Sequence, residues 1–244
     1  MCGRYALHGP AGRRPDQALE FAGAQIDFPP RYNLTPTQDL PVYGLNAEGQ
    51  PRLRLMTWGL IPRWAKDPAI GARLNNARAE TVAVRPAFRE AWRRRRCLVP
   101  MNGFYEWQRE GRAKLPHYFS LRGGGLFAVA GLYDTWRDGA GQVRVSFAVL
   151  TTAANALMAP IHDRMPVIVP PQDYAAWLDR DNREAAGLEA LLAPYPAAGM
   201  QAWPVSAQVN HARNDGPALI EPAGTSATIA AATLSRNPPQ DLLP

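Results

Sequence analysis

The sequence predicts an α+β protein built around a curved, mostly antiparallel, barrel-like β-sheet with helices at its periphery. Short β-like runs with turn residues between them recur along the 244 residues, which is typical of hairpin-rich sheets. Helical patterns are scattered, and the regular strand–helix alternation that marks a parallel sheet is missing. No long Ser/Gly linker and no internal repeat divides the chain, so we predict one domain over residues 1–222 and a separate tail over 223–244.

Nine segments have the aliphatic and aromatic composition of strands, bounded by turn residues. They are GRYALH (3–8), LPVYGL (40–45), RLRLMTWGL (52–60), CLVP (97–100), GFYEW (103–107), HYFSL (117–121), LFAVAGLY (126–133), VRVSFAVLT (143–151) and MPVIVP (165–170). Four segments have helical spacing, and three of them open with or near a proline that suits a first helical turn. They are RPDQALEFAG (14–23), RPAFREAWRR (85–94), PPQDYAAWLD (170–179) and REAAGLEALLAPY (183–195). The weakly periodic, Pro-rich tail predicts a surface or disordered segment.

The net charge of +6 is concentrated in one part of the chain. Residues 51–96 hold 12 Lys and Arg against 3 Asp and Glu, whereas the remainder holds 15 basic and 18 acidic residues. Such a cationic stretch favours a polyanion on one face, and nucleic acid is the commonest such partner. The alternative for REAWRRRR is a solvated helix face whose cations suit the helix dipole. The longest apolar run is far shorter than a membrane span, so we expect no membrane association.

The two cysteines occupy very different positions. Cys97 begins a short apolar run, which predicts a buried core residue. Cys2 follows Met1 directly, and its small side chain is expected to permit removal of that methionine, leaving an α-amine and a thiol on one residue. Such a 1,2-aminothiol reacts with aldehydes to form a five-membered thiazolidine; the alternative is a small buried hydrophobe. With no CxxC and no signal peptide, we expect no disulfide, no metal cluster and a reducing cytoplasm.

Three further residues are candidates for proton transfer or orientation near such a cysteine. Glu106 lies between Tyr105 and Trp107, and strand alternation places it on the face opposite both aromatics. If that face is buried, its carboxylate is a candidate general acid or base; otherwise it is an exposed strand glutamate. His162 lies in a loop before a predicted strand and either shuttles protons or only holds the turn. Asn76 fits the N-cap of a helix that would start at Ala77.

The chain resembles the SOS-response-associated peptidase family, the abasic-site processing proteins. The matching blocks are MCGRYAL, RYNLTPTQ, WGLIPRWAKD, NNARAET, PAFREAW, RRCLVPMNGFYEWQ, AGLYDTW, LTTAANALMAPIHDRMPVIV and VNHARNDGPALIEP. They run through residues 2 to 222. The resemblance implies recognition of abasic sites in single-stranded DNA and covalent attachment through Cys2, with Asn76, Glu106 and His162 as the other catalytic residues.

Chemistry agrees with these roles, because opening an abasic sugar to its aldehyde and forming an imine both require proton transfer. We expect Arg4 and nearby cations to lower the pKa of the Cys2 amine and thiol. The resemblance also implies DNA contacts, of which the arginines contact phosphates and the tryptophans stack on bases. These residues are Arg4, Trp64, Arg78, Arg85, Arg89 and Trp107. For Trp107, packing in the core is the alternative.

Three functions follow from these residues. The first is covalent crosslinking to abasic DNA, with lyase activity through the imine. The second is a thiol peptidase in which Cys2 attacks a carbonyl with His162 as base. The third is a non-covalent single-strand DNA binder in which Cys2 is incidental. For the crosslinker we expect a monomer in the cytoplasm, associated with the nucleoid, that needs no cofactor and no metal.

Overall fold

The computed structural model describes residues 2–46, 48–183 and 187–224, and contains within them fifteen strands and two short α-helices. The strands are β1 (Tyr5–Leu7), β2 (Leu19–Phe21), β3 (Ala24–Ile26), β4 (Arg31–Leu34), β5 (Asp39–Leu45), β6 (Pro51–Trp58), β7 (Asn76–Arg78), β8 (Arg96–Met101), β9 (Gly103–Glu110), β10 (Ala113–Leu121), β11 (Phe127–Arg137), β12 (Val143–Ala153), β13 (Arg164–Pro166), β14 (Ile168–Val169) and β15 (Met200–Pro204). The helices are α1 (Arg89–Arg94) and α2 (Tyr174–Leu178).

Five of these strands close into a barrel. The ring runs β12, β6, β5, β8 and β11, and β11 pairs again with β12 to close it. All of these pairs are antiparallel except β12 with β6. The short strands β7 and β13 pair with β12, and β14 pairs with β11. The predicted α+β class with a curved, mostly antiparallel barrel is therefore confirmed.

A second antiparallel sheet packs beside the barrel, in the order β15, β10, β9, β1, β4. Its inward side chains, such as Phe104 and Phe119, share one buried cluster with barrel residues such as Trp58 and Phe147. Cys2, just before β1, belongs to the same cluster. The outward side chains of this sheet form a smaller cluster that includes Tyr105 and Tyr118. The N-terminus is thereby held between the two sheets.

The barrel's outer face is covered by α1 and α2, whose Trp92 and Trp177 rings pack edge to face at 5.7 Å. The arginine run at the end of α1 is neither a uniform solvated face nor a uniform DNA surface. Arg95 lies 3.2 Å from Asp134 in a salt bridge. Arg96 is buried and donates to the carbonyls of Trp177, Trp92, Asp179 and Asn182. Half of this run therefore stabilises the fold.

All nine predicted strands coincide with observed strands, and Cys97 is buried as predicted. The predicted helix at 14–23 is wrong. Its second half is the strand β2, in which Leu19 and Phe21 are buried and Glu20 is exposed. Ala22 and Gly23 then adopt positive φ angles of 49° and 78°, which is the geometry of a tight hairpin turn into β3. The alternation of period two decides the structure here.

The other helix predictions are partly correct. Helices lie within 85–94 and 170–179, but they begin later, at Arg89 and Tyr174. In 183–195, residues 184–186 lie outside the described part, and the observed element is a 3-10 turn at Glu189–Leu192. A helix capped by Asn76 is also wrong, because residues 76–78 form β7. The predicted tail lies almost wholly at 225–244, outside the described residues.

Within the described ranges, no helix has both the length and the apolar character required to cross a lipid bilayer.

Candidate functional site

Cys2 lies at the base of the site and is fully buried. Burial is the main cause that raises the pKa of its thiol to about 12, and the negative charge of Glu106 adds to the rise. A hydrogen bond from the backbone N–H of Arg4 acts in the opposite direction. The expectation that cations lower this pKa is therefore wrong for the thiol, because removal from water outweighs them. The sulfur is protonated at neutral pH.

Asn76 holds the backbone of Cys2. β7 pairs in parallel with β12, which places Asn76 opposite Val149 and directs its side chain at the N-terminus. The amide Nδ2 donates to the Cys2 carbonyl oxygen at 2.8 Å. The amide Oδ1 is buried and has no hydrogen-bond partner among the described residues. A buried oxygen without a hydrogen-bond donor lowers the stability of the fold. The Asn76 Oδ1 is therefore suited to accept a hydrogen bond from a donor group that binds beside Cys2.

Glu106 is positioned by the alternation of β9. Phe104 belongs to the inner core and Tyr105 to the outer cluster, so Glu106 points inward again. Its side chain is only 4% exposed, and its charge acts on the Cys2 thiol. Trp107 packs against the outer cluster. Glu106 therefore lies on the face opposite both aromatics, and of its two alternatives, a buried and an exposed carboxylate, the structure shows the buried one.

His162 lies on the loop between β12 and β13. Its backbone N–H donates to Met158 O at 3.0 Å, which closes a helical turn in that loop. Its Nδ1 accepts from the backbone N–H of Arg164 at 2.9 Å and lies 3.0 Å from Asp163 Oδ1. The Nδ1 atom is therefore engaged within its own loop, by the Arg164 backbone and the Asp163 side chain. The Arg164 guanidinium is fixed in turn by Glu80, whose pKa it lowers through a hydrogen bond.

An open groove of about 480 Å³ is lined by two of the four catalytic candidates, Glu106 and His162, but not by Cys2 or Asn76. It is lined by Arg4, Glu106, Trp107, Arg109, Lys114, His162 and Asn210. One end is acidic and buried at Glu106, and the other is cationic and exposed on the β9–β10 hairpin. The groove therefore leads from solvent to the carboxylate that acts on Cys2.

Arg4 and Trp107 are fixed by the segment around residue 210. The Arg4 guanidinium donates to Asn33 Oδ1 at 2.9 Å and to the carbonyls of Val209 and Asn210. It lies 5.8 Å from the centre of the Trp107 ring, within cation–π range. The indole N–H donates to Asn210 Oδ1 at 2.6 Å. Arg4 thus has a structural task in addition to its predicted DNA contact.

The other predicted DNA contacts do not line this groove. Trp64 is 56% exposed and borders a separate groove of about 470 Å³ with Lys66 and Arg73. Its indole N–H donates to Pro86 O at 3.4 Å. Arg78 is exposed two residues after Asn76. The remaining two, Arg85 and Arg89, are exposed near the start of α1.

Sequence reasoning missed three groove residues, Arg109, Lys114 and Asn210. The hairpin pair could have been found from the turn at Gly111, because counting outward from it places position 109 opposite position 114. No local pattern identifies Asn210. It lies 104 residues after Glu106 in the sequence, and only the tertiary fold brings it to the groove.

The chain belongs to the SOS response associated peptidase (SRAP) family, whose sequence model matches residues 1–212. It is 39% identical over 223 residues to the abasic site processing protein YoqW of Bacillus subtilis (strain 168), covering 91% of this chain and 99% of that protein. It is 31% identical over 225 residues to the abasic site processing protein HMCES of Xenopus tropicalis, covering 80% and 67%. The resemblance identified from the sequence is confirmed.

Solved structures share the fold. A crystal structure of a Bacteroides thetaiotaomicron protein matches with a TM-score of 0.70 and 27% identity, covering 79% of this chain and 85% of that one. A Bordetella bronchiseptica protein matches with a TM-score of 0.68 and 26% identity, covering 84% of this chain and 100% of that one.

Proposed function

We propose that this protein processes abasic sites in single-stranded DNA, forming a covalent thiazolidine through Cys2 and protecting the lesion during the DNA damage response. Membership of the family and the names of its relatives support abasic-site processing. The observation that carries the proposal is the 2.8 Å hydrogen bond from Asn76 to the Cys2 carbonyl, beside the charge of Glu106. Capture requires loss of Met1, because only then is the Cys2 nitrogen an amine.

The first step opens the sugar. An abasic site is mostly a cyclic hemiacetal, and it opens when the anomeric hydroxyl loses a proton and the ring oxygen gains one. His162 and Glu106 both line the groove and supply the acid and base for this exchange. No redox change occurs, and the product is an aldehyde. His162 acts through Nε2, since its Nδ1 is engaged by the Arg164 backbone.

The second step joins nitrogen to carbon. The Cys2 amine adds to the aldehyde to give a carbinolamine, which loses water to give an imine. We propose that Asn76 Oδ1 accepts a hydrogen bond from this amine, because that buried oxygen has no partner in the described structure. Such a bond orients the nitrogen lone pair towards the groove. The departing hydroxyl takes its proton from the groove's acid.

The third step closes the ring. The Cys2 sulfur attacks the imine carbon, the thiol proton passes to the imine nitrogen, and the net reaction releases one water. Because the thiol pKa is about 12, the proton must be removed as sulfur attacks, and Glu106 is the adjacent carboxylate. If sulfur fails to close, the imine can instead lose the 3′ phosphate by β-elimination, which is lyase activity.

A thiol peptidase is supported less well. That chemistry would have to remove the proton of the same buried Cys2 thiol as sulfur attacks, and the names of the relatives refer to abasic sites rather than to peptides. Non-covalent binding to single strands needs only the cationic and aromatic groove residues, and it is the state that precedes capture. We further propose that the protein acts as a monomer in the cytoplasm, near the nucleoid.

Intact-mass measurement tests the proposal. We expect the purified protein to lack Met1, and we expect mixing with an abasic oligonucleotide to add the mass of that oligonucleotide minus one water, without a reducing agent. An undamaged oligonucleotide is the control and adds nothing. Full adduct formation by protein that retains Met1 contradicts the proposal.

A further inference from the structure

Two cations face each other on the β9–β10 hairpin. Arg109 and Lys114 are direct cross-strand partners, and both are exposed. Like charges placed directly opposite destabilise a sheet. Neither side chain forms a salt bridge with any residue of the described ranges. The hairpin thus carries a repulsion that an anion placed between the two side chains would relieve.

The pair lies in the same groove as the catalytic candidates. Arg109 and Lys114 line it together with Glu106 and His162. Arg109 follows Glu106 by three residues on one strand, which corresponds to about 10 Å along β9. The third cation of the groove, Arg4, is already bonded to Asn33 and to two carbonyls. The hairpin pair therefore supplies the cations that are available to a ligand.

We propose that Arg109 and Lys114 form a clamp for a backbone phosphate within two nucleotides of the abasic sugar. This inference rests on the proposed function, because the clamp positions the strand whose sugar reaches Glu106. The guanidinium offers a planar fork of donors and the ammonium a compact charge, and together they suit a phosphate. The distance from Glu106 excludes the pair from proton transfer. The clamp is consequently independent of base sequence.

The test compares the double variant Arg109→Gln/Lys114→Gln with Arg112→Gln. Arg112 is an exposed cation in the turn of the same hairpin, and it does not line the groove. Affinity for an abasic single strand is measured by fluorescence anisotropy over a range of salt concentrations. We expect the double variant to bind about tenfold more weakly at low salt, with a salt slope smaller by about 0.7 per lost phosphate contact. Arg112→Gln should bind like the wild type.

A second measurement locates the phosphate. Single neutral methylphosphonates are placed at successive positions around the lesion, and one of them should weaken binding by the wild type but not by the double variant, because the interaction is already lost. Melting temperatures serve as the folding control, and the double variant should melt no lower than the wild type. Equal affinity and equal salt slope for the double variant and Arg112→Gln overturn the clamp.

The outcomes also separate the clamp from covalent capture. If the wild type forms no adduct, but the double variant binds more weakly than the wild type and with a smaller salt slope, the clamp stands and capture fails. If adduct forms normally and the double variant binds like the wild type, capture stands and the clamp fails.

Discussion

The groove beside Glu106 and the cationic stretch 51–96 differ in how their charges are placed. The stretch is the most basic part of the sequence, yet Arg63 and Arg95 are paired with Asp134, and Arg96 is buried. The groove takes its cations from residues outside that stretch, such as Arg109. Charge density along a sequence therefore differs from charge density at a site, because strand pairing brings distant residues together.

The largest expected effect lies in the groove. We expect Glu106→Gln and His162→Ala each to slow adduct formation by about 10²–10⁴-fold, because general acid–base groups contribute that much. The measurement is single-turnover formation of the adduct on denaturing gels at saturating DNA. Binding to undamaged strands should be nearly unchanged and serves as the control. Wild-type rates in both variants would remove these residues from the mechanism. The groove would then have no catalytic role that the stretch 51–96 lacks.

Arg96 and Arg94 separate structural from solvent-exposed arginines within one run. Arg96→Ala removes four hydrogen bonds to carbonyl groups, two of them buried and two part-buried, so we expect it to lower the free energy of unfolding by about 2–4 kcal/mol. Arg94 is exposed, and its alanine variant should change stability by less than about 0.5 kcal/mol. Urea unfolding measures both. Equal effects in the two variants would contradict the claim that Arg96 stabilises the fold whereas Arg94 does not.

Trp64 tests whether the cationic stretch also contacts DNA, since it lies within residues 51–96 and its side chain is 56% exposed. If it stacks on a base of the bound strand, Trp64→Ala should lose about 1–3 kcal/mol of binding free energy. The rate of adduct formation at saturating DNA should stay the same, because Trp64 does not line the groove of Glu106. Val84→Ala, a second exposed apolar position, is the control for non-specific loss of surface. If Trp64→Ala binds DNA as tightly as the wild type, Trp64 does not contact the bound strand, and the groove beside Glu106 is left as the DNA site.

Substitution of Cys97 is expected to have the smallest effect, a change in how stability depends on pH, and the direction of that change follows from its burial. Burial raises the pKa of its thiol, so the folded protein keeps a proton that the unfolded chain releases above about pH 8.5. Stability from this group is complete below that pH and falls as pH rises, by about 1.4 kcal/mol per pH unit. Cys97→Ala should make the total slope shallower by that amount and leave the contribution of the buried Cys2 thiol in place. Stability is measured by urea unfolding between pH 7 and 10, and an identical slope in the variant would contradict the assignment.

The strands were predictable because alternation and turn residues are local. The hairpin at Leu19–Phe21 was missed because its short strand mimics a helix start after Pro15, and only burial on both sides of Glu20 distinguishes the two. The placement of Asn76 against Cys2 depends on a parallel pairing with β12, which no local pattern encodes. Glu106 was the best predicted site residue, since strand alternation alone gives its face.

The most direct test of the central claim is the product distribution of Cys2→Ser on abasic single strands. Serine also permits removal of Met1 and keeps the amine, but its hydroxyl closes a far less persistent ring than sulfur does. Products are separated on denaturing gels after heating, without a reducing agent. We predict loss of the heat-stable adduct together with retained strand cleavage by β-elimination. A heat-stable, unreduced adduct in Cys2→Ser would contradict capture by the amine and thiol of Cys2.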